Sequence, residues 1–407
     1  MSYSVVQKQA RVEETMLSET QTKPAKLTDQ SELILAGGTT FHFMPKSFTT
    51  LRPDRVKPLT SISSKGNTTH LLTKQQKPDW SWDKYNYKNS SWVKWVNYWL
   101  GFSKNYPLTL HSDLLITSSS LCPSDSTLDY LMMIKSSVGH WSRRQAIRET
   151  FGKTGLFKHL SSRIVFLLGI SENFQKMKTI QAEASQHNDI VQGDFVDTYR
   201  NLTLKGVMGL RWVHENCPNV KVIMNMDDDS FVNIFSVVHR WIPSFAMRYH
   251  SIKCKVYFSY NKAIKRSNSH DKWVVDDKLF PGLPRYPMDH CNGLFVLMTG
   301  DLVTPMLAAA RVNPVFWIDD VYLFGLLTKT VGDVTHEIWG TMNDRVETTQ
   351  SKQGFIKSIK ESGILGTKGV VVNNNELTDA DFIYLWEFLL EHLTDSQRQK
   401  FKISENV

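Results

Sequence analysis

The chain has 407 residues, enough for one large α/β domain with extensions or for two modest domains. Of its formal net charge of +8, +7 belongs to residues 1–110, which contain 15 lysines and arginines and 8 aspartates and glutamates. The rest of the chain is close to neutral. This excludes the basic stripe of a nucleic-acid-binding domain, so we expect no nucleic-acid partner.

Residues 1–110 are predicted to be a poorly ordered stem or tail. Thr, Ser, Lys, Gln and Pro are mixed there without a sustained period, so the segment cannot bury enough apolar surface to fold by itself. No run of about 18 apolar residues is visible, so the sequence predicts no transmembrane segment.

From Leu128 onward the sequence predicts an α/β domain with a mostly parallel central sheet. Short apolar runs alternate with segments of helical period, which is the pattern of stacked βα units. Strands are predicted at 130–134, 163–169, 189–192, 220–226, 255–259 and 292–298, and helices at 143–152, 172–187, 199–216 and from about Asp319. We assign residues 111–345 to this domain and residues 346–407 to a C-terminal extension, in which the amphipathic stretch 380–393 forms a docked helix.

The strand at 220–226 runs directly into three carboxylates, Asp227, Asp228 and Asp229. In open α/β sheets, ligands bind beyond the carboxyl ends of the strands, so this position favours a functional site. The three charges repel one another, and in extended backbone Asp227 and Asp229 lie on the same side, where both can bind a cation. Hard oxygen ligands favour manganese or magnesium, which bridge diphosphate oxygens. A solvated turn that caps the next helix is the alternative.

The four cysteines show no CxxC spacing, which argues against a zinc site. They predict either buried thiols or up to two disulfides, and the sequence leaves the pairing open. These residues are Cys122, Cys217, Cys254 and Cys291.

Four sequence blocks occur in a fixed order from the first predicted helix to the last. They are RRQAIRETFG at 143–152, GDFVDTYRNLTLK at 193–205, VIMNMDDDSFVN at 222–233 and IDDVYLFG at 318–325. Together they resemble glycosyltransferase family 31, the inverting β-1,3-galactosyltransferase-like enzymes, over about half of the chain. The resemblance implies a GT-A-like nucleotide-sugar-binding fold for residues 111–345. It also implies a UDP-sugar donor, a glycan acceptor on glycoprotein or glycolipid, and a location in the Golgi apparatus.

The resemblance gives the three consecutive carboxylates separate roles. Asp229 resembles the main manganese ligand, and Asp227 the residue nearer the donor ribose, which also contributes to the metal site. Asp228 belongs to the same donor-binding motif. His336 follows the last block and could complete the metal site, although a lone histidine is more often a surface or core residue.

Four further residues of the matched blocks are predicted to lie near the donor. Asp194 and Lys205 belong to the second block, where Lys205 can bind the diphosphate or remain a solvated helix lysine. Arg144 and Arg148 belong to the first block. They lie either under the nucleotide or against buried carboxylates that hold the domain together.

The IDDVYLFG block supplies the predicted catalytic base. Inversion requires a carboxylate that takes the proton of the acceptor hydroxyl as it attacks the anomeric carbon. Asp320 matches the family's second acid and is our candidate, and Asp319 stands beside it where the family usually has Glu. The alternative is that both acids only cap a helix.

These residues predict an enzyme that transfers a hexose, galactose first, from a UDP-sugar to the 3-hydroxyl of a glycan. Three alternatives are an N-acetylhexosaminyltransferase of the same family, a non-catalytic family member that acts as chaperone or scaffold, and a magnesium-dependent phosphohydrolase. Two departures from the family pattern, Phe151 in place of Trp and the altered CNGLFV segment, bear on acceptor specificity.

Overall fold

The computed structural model describes residues 84–101, 105–122, 127–266, 272–338, 351–366, 371–373 and 377–403. All of them lie in one compact unit, Gln76–Val407. None of the helices among these residues has the length and apolar character needed to cross a membrane.

Twelve strands occur in the described residues. They are β1 Leu114–Ile116, β2 Leu128–Lys135, β3 Ser162–Ile170, β4 Ile190–Val196, β5 Val220–Asp227, β6 Ser230–Val232, β7 Ser251–Cys254, β8 Val256–Tyr257, β9 His290–Cys291, β10 Phe295–Thr299, β11 Thr335–Ile338 and β12 Val371–Asn373.

The α-helices of the described residues flank these strands. They are α1 Ser91–Trp99, α2 Trp141–Glu149, α3 Phe174–His187, α4 Leu202–Asn216, α5 Ile234–Arg240, α6 Ile242–Phe245, α7 Val303–Ala310, α8 Asp319–Val321, α9 Thr328–Val331, α10 Lys352–Ser362, α11 Asp379–Glu391 and α12 Asp395–Phe401. A π-helical segment, Tyr322–Leu327, joins α8 to α9.

Eight strands form one mixed central sheet in the order β1-β4-β3-β2-β5-β10-β7-β11. The four strands β4, β3, β2 and β5 run parallel, β1 and β10 run antiparallel to their neighbours β4 and β5, and β7 and β11 pair in parallel. The parallel strands are nearly continuous apolar runs that are buried on both faces, as helices on both sides of a sheet require. The predicted α/β fold with a mostly parallel sheet is confirmed.

The C-terminal segment packs onto the central domain next to β6. Strand β12 pairs antiparallel with β6, which places Asn373 opposite Ser230, directly after Asp229. The Phe382 ring of α11 packs against Phe151 and Phe231, with ring centres 6.1 and 5.6 Å apart. The helix expected at 380–393 therefore coincides with α11 and contributes to the core. Phe151, one of the departures from the family pattern, is a fully buried part of that contact.

Helix α1 lies inside the segment predicted as a stem, yet it belongs to the core. Val96 and Leu100 are buried in the main hydrophobic cluster, and the Phe280 backbone amide donates to the Trp99 carbonyl at 3.0 Å. Most of 1–110, by contrast, lies outside the described residues. The division at residue 110 stays a prediction, with the qualification that α1 packs on the domain that follows it.

Two disulfides use all four cysteines. Cys122 pairs with Cys217 at the end of α4, and Cys254 at the end of β7 pairs with Cys291 in β9. The structure thus settles the pairing that the sequence leaves open. Stable disulfides are typical of proteins that fold in an oxidising compartment.

Candidate active site

The carboxyl ends of β2 and β5 bring Lys135 and Asp227 together. The two strands are parallel and in register, so the two residues lie directly opposite each other. Lys135 Nζ is 3.0 Å from Asp227 Oδ1 and 2.5 Å from Asp319 Oδ2. The lysine side chain is 2% exposed, so its charge depends on these two carboxylates. Lys135 therefore joins the Asp-rich motif to the IDDVYLFG motif.

The charges of this cluster shift one another's pKa values. Burial, together with the negative charges of Asp319 and Asp229, raises the pKa of Asp227 to about 6 against the opposing effect of Lys135. Burial alone would lower the pKa of Lys135, but the attraction of Asp227 and Asp319 outweighs it and raises that pKa. Lys135 is therefore charged at neutral pH, whereas Asp227 titrates near it.

Asp320 follows Asp319 in the sequence and lies in the first turn of α8. Its Oδ1 accepts a hydrogen bond from the Val321 backbone amide at 2.7 Å. Burial and, after it, the negative charge of Asp319 together raise the pKa of Asp320 to about 7. A carboxylate with a pKa near the working pH suits general-base catalysis. Gly293 packs against Asp320: a Cβ added at Gly293 would lie 3.1 Å from the Asp320 Cβ.

Asp228 points to the other side of β5 and has its own partners. Its Oδ2 accepts a hydrogen bond from Ser136 Oγ at 2.6 Å and lies 2.9 Å from His140 Nδ1. Burial would raise the pKa of Asp228, but the contact with His140 outweighs it and lowers that pKa. The same contact raises the pKa of His140. Asp228 thus fixes the loop after β2.

Arg144 and Arg148 lie on α2 and bind buried carboxylates. Arg144 is fully buried and pairs with both oxygens of Glu183, at 2.8 and 2.6 Å. Arg148 bridges Glu183 and Asp189, at 2.8 Å to each. The sequence allows these arginines to lie either under the nucleotide or against buried carboxylates. Their contacts match the second position. Arg144 also donates to Ser136 Oγ at 3.1 Å, so it supports the residue that binds Asp228.

The second motif places Lys205 and Asp194 in different surroundings. Lys205 is buried in α4, and its Nζ donates to Asp197 Oδ1 at 2.7 Å and to the Ser136 carbonyl at 2.6 Å. It is therefore a buried, paired lysine rather than a solvated one, and its contact with the diphosphate stays a prediction. Asp194 is exposed near the end of β4. The acid of this motif that joins the buried network is Asp197.

A cavity of about 390 Å³, which we call the donor-side cavity, opens beside Asp229. Its lining residues are Gly139, His140, Ser142, Arg143, Asp228, Asp229 and Asp379. Arg143 Nε donates to Asp379 Oδ1 at 2.5 Å, Arg143 Nη2 donates to the Leu377 carbonyl, and Nη1 donates to the Asp228 carbonyl at 3.3 Å. Arg143 thus ties the start of α11 to the Asp-rich motif, and the C-terminal segment forms part of this cavity.

A second cavity of about 140 Å³, which we call the acceptor-side cavity, borders Asp320. Its lining residues are Tyr257, Lys262, Ala263, Lys265, Trp273, Tyr286, His290, Asn292, Ile318, Asp320 and Val321. The contacts of Asp227 with Lys135 and of Lys135 with Asp319 connect the two cavities through a continuous row of charged residues. The two predicted acidic motifs therefore lie between two separate openings.

Residues 142–338 match the family model described as galactosyltransferase. This region belongs to the galactosyltransferase family. The family resemblance carried by the four blocks is thereby confirmed. The site residues outside the matched region are those between Lys135 and His140 and the C-terminal ones.

Relatives in the galactosyltransferase family include enzymes with two different named activities. Beta-1,3-galactosyltransferase 2 of Mus musculus is 31% identical over 227 residues, which are 55% of this chain and 52% of that protein. A human protein, acetylgalactosaminyl-O-glycosyl-glycoprotein beta-1,3-N-acetylglucosaminyltransferase, is 31% identical over 228 residues, which are 54% of this chain and 58% of that protein. The chain therefore spans about half the length of the curated relatives that it matches.

Two solved glycosyltransferase structures are similar to this chain, with low TM-scores. The apo structure of the bifunctional WbbM has a TM-score of 0.35 and 12% identity, covering 69% of this chain and 52% of that one. The galactosyltransferase LgtC with donor and acceptor sugar analogues has a TM-score of 0.34 and 11% identity, covering 66% and 99%.

The carboxylates of this galactosyltransferase region fit a cation that is shared with a ligand. Among the described residues, no group of three or more potential ligands is preassembled for a metal. Asp228 is held by Ser136 and His140, while Asp229 faces the donor-side cavity. Magnesium and manganese are commonly held by one or two carboxylates together with substrate phosphates, and Asp229 with Asp227 fits that arrangement.

His336 lies away from this cluster. It belongs to β11 at the edge of the sheet, three strands from β5, which is roughly 14 Å at the usual strand spacing. Its Nε2 is 3.3 Å from the Phe324 carbonyl, and burial lowers its pKa. The histidine follows the last motif in sequence, but the sheet order separates β11 from the strand that ends at Asp227, and its part in a metal site stays a prediction.

Sequence reasoning missed three residues that organise the site: Lys135, His140 and Asp379. Lys135 had a visible signal, because it is the charged last residue of an otherwise apolar predicted strand. His140 and Asp379 had none, since their roles depend on how the loop after β2 and the start of α11 meet the Asp-rich motif.

Proposed function

We propose that the protein is an inverting glycosyltransferase that transfers galactose from a UDP-sugar to the 3-hydroxyl of a glycan acceptor. One observation carries the proposal: Lys135 brings the Asp227–Asp229 end of β5 and the Asp319–Asp320 start of α8 to one place. A glycosyl transfer needs a donor site beside the first motif and a base beside the second. The two cavities supply an opening for each.

In this proposal the donor diphosphate binds at the donor-side cavity and the acceptor hydroxyl lies against Asp320. Asp320 takes the hydroxyl proton as the acceptor oxygen attacks the anomeric carbon, and the bond to the diphosphate breaks on the opposite face. Its raised pKa makes Asp320 a stronger base than an ordinary carboxylate. Lys135 fixes Asp319 beside it. A manganese or magnesium ion bound by Asp229 and Asp227 would offset the charge of the departing UDP.

A second candidate donor is UDP-N-acetylglucosamine. The observation that favours it is the similarity, at the same identity, to a relative whose name states β-1,3-N-acetylglucosaminyl transfer. Nothing in the charge cluster distinguishes the two sugars, because the motif carboxylates serve the diphosphate rather than the hexose.

The experiment is a UDP-release assay on the purified full chain with a panel of UDP-sugars and glycan acceptors, with and without manganese. We expect acceptor-dependent UDP release with UDP-galactose that is lost on chelation. Preference for UDP-N-acetylglucosamine would select the second donor. Acceptor-independent phosphate release would point to a hydrolase, and UDP binding without transfer to any acceptor would support a non-catalytic family member.

We further propose that the protein works in the secretory pathway, in the Golgi apparatus, on glycoprotein or glycolipid acceptors. Its two disulfides suit an oxidising lumen. Microscopy of a C-terminally tagged chain tests this. Overlap with a Golgi marker is expected, and a uniform cytosolic signal would contradict it.

A further inference from the structure

The acceptor-side cavity carries positive charge on a wall of aromatic rings. Lys262 Nζ lies 3.8 Å from the centre of the Tyr257 ring, and Lys265 Nζ lies 5.6 Å from the centre of the Trp273 ring. The cation–π contact of Lys262 holds its ammonium group at the wall without neutralising its charge. Tyr286, which is almost fully buried, adds a further ring. A ligand in this cavity meets aromatic faces and lysine charge together.

The ammonium of Lys262 has no carboxylate partner in the described part of the chain, and its contact there is with Tyr257. Its charge reaches Asp320, where it opposes the larger effects of burial and Asp319 on the pKa. His290, on the same wall, is uncharged at neutral pH because burial lowers its pKa to about 4. Lys262 is thus a positive charge that stands close to the proposed base and is available to a bound anion.

We propose that the acceptor is an acidic glycan, whose carboxylate or sulfate pairs with Lys262 while its sugar ring packs on the aromatic wall of the cavity. This proposal rests on the proposed function, since that function places the acceptor at Asp320. A charge-assisted hydrogen bond in a partly desolvated cavity is about twice as strong as a neutral one, so Lys262 discriminates acidic from neutral sugars. The donor diphosphate is assigned to the other cavity, beside Asp229.

The test compares two glycosides that differ at one carbon. 4-Nitrophenyl β-D-glucuronide carries a carboxylate where 4-nitrophenyl β-D-glucoside carries a hydroxymethyl group. Their dissociation constants are measured by ligand-observed NMR on the full chain with UDP and magnesium present, because magnesium is diamagnetic. We expect the glucuronide to bind about 5- to 10-fold more tightly, and the difference to shrink as salt is raised.

The variant is Lys262→Gln, and the matched control is Lys178→Gln. Lys178 makes a cation–π contact with Phe174 at 4.9 Å on the exposed face of α3 and lines neither cavity. Lys262→Gln should abolish the preference for the glucuronide, whereas Lys178→Gln should retain it. Equal binding of the two glycosides by the wild type would overturn the proposal. The proposal would also be overturned if Lys262→Gln kept the preference for the glucuronide, or if this variant weakened the binding of UDP instead.

A further arm identifies the anion. 4-Nitrophenyl β-D-galactoside 6-sulfate is compared with its unsulfated form under the same conditions, and a larger preference here than for the carboxylate assigns the acceptor as a sulfated glycan. These are binding measurements, so their outcome is independent of turnover. Absence of UDP release with every acceptor would defeat the proposed function, while loss of the acidic preference alone would defeat only this inference.

Discussion

Replacing Lys135 by Met tests whether this lysine holds the two acidic motifs together. The change removes an ammonium that is 3.0 Å from Asp227 and 2.5 Å from Asp319 and leaves two carboxylates without a counter-charge. Removing one partner of a buried ion pair costs about 3–5 kcal/mol. Because the Asp227 side chain is 32% exposed, water screens part of this loss, and we expect a decrease of about 2–4 kcal/mol in the free energy of unfolding at pH 8.

The decrease in the free energy of unfolding of Lys135→Met should be smaller at pH 5 than at pH 8. The pKa of Asp227 in the folded wild type, about 6, is already above its ordinary value, and the loss of the Lys135 charge raises it further. A carboxyl with a raised folded pKa contributes stability that is fully present below the unfolded pKa and is lost as pH rises through the folded pKa. The deficit of the variant relative to wild type therefore grows from pH 5 to pH 8.

The assay is urea unfolding of wild type and Lys135→Met at both pH values in the presence of a chelator. Asp319→Asn in the Lys135→Met background removes the repulsion and should restore part of the stability at pH 8. Lys221→Met is the matched control, since it breaks the exposed Lys221–Asp129 pair and should cost less than about 1 kcal/mol. A loss that is equal at both pH values, or a double variant without recovery, would refute the account of the cluster.

Three other predictions concern the base, the cation and the N-terminal helix. Gly293→Ala places a Cβ 3.1 Å from the Asp320 Cβ and should lower kcat about tenfold or more. The control Gly101→Ala adds a Cβ in open space and should leave kcat unchanged. Equal kcat values for the two variants would contradict this prediction. Asp229→Ala should remove manganese-dependent UDP binding in calorimetry, and an unchanged Kd would exclude Asp229 as the cation ligand. A chain that begins at residue 105 lacks α1 and should be less stable by roughly 3 kcal/mol or more than one that begins at residue 84; coincident melts would show that α1 is dispensable.

The sequence was sufficient to place the Asp-rich motif at the carboxyl end of a central strand. An apolar run that ends in consecutive carboxylates is a local pattern, and β5 has it between Val220 and Asp227. The helix start at Asp319 is equally local. Residue spacing did not reveal that these two segments meet. Their contact depends on Lys135, which belongs to a third segment and pairs with a carboxylate of each.

Residues whose role depends on long-range packing were harder to place. Arg144 and Arg148 could bind either a nucleotide or buried carboxylates, and only the position of Glu183 on α3 distinguishes the two. Within one motif, the strand alternation exposes Asp194, whereas Asp197, just past the end of β4, accepts from Lys205. The position of His336, three strands from β5, could not be read from the sequence, since sequence order does not give strand order.

The central claim is that Asp320 is the base of a glycosyl transfer, and its most direct measurement is the rate of UDP release by Asp320→Asn. With a verified donor and acceptor, we expect turnover to fall by about 10²- to 10⁴-fold with little change in UDP affinity, and Asp319→Asn to lose less. In the wild type, kcat/KM should fall as pH drops below about 7, because the carboxyl of Asp320 then holds its proton.

A matched stability measurement separates catalysis from folding in the same variant. The folded pKa of Asp320, about 7, is raised above the ordinary 3.8, so the ionised carboxyl destabilises the fold as pH rises through 7. Asp320→Asn should therefore melt at the same temperature as wild type at pH 8, or at a higher one, while its rate collapses. Full UDP release by a well-folded Asp320→Asn would contradict the account, and a rate loss that only follows a lower melting temperature would contradict it as well.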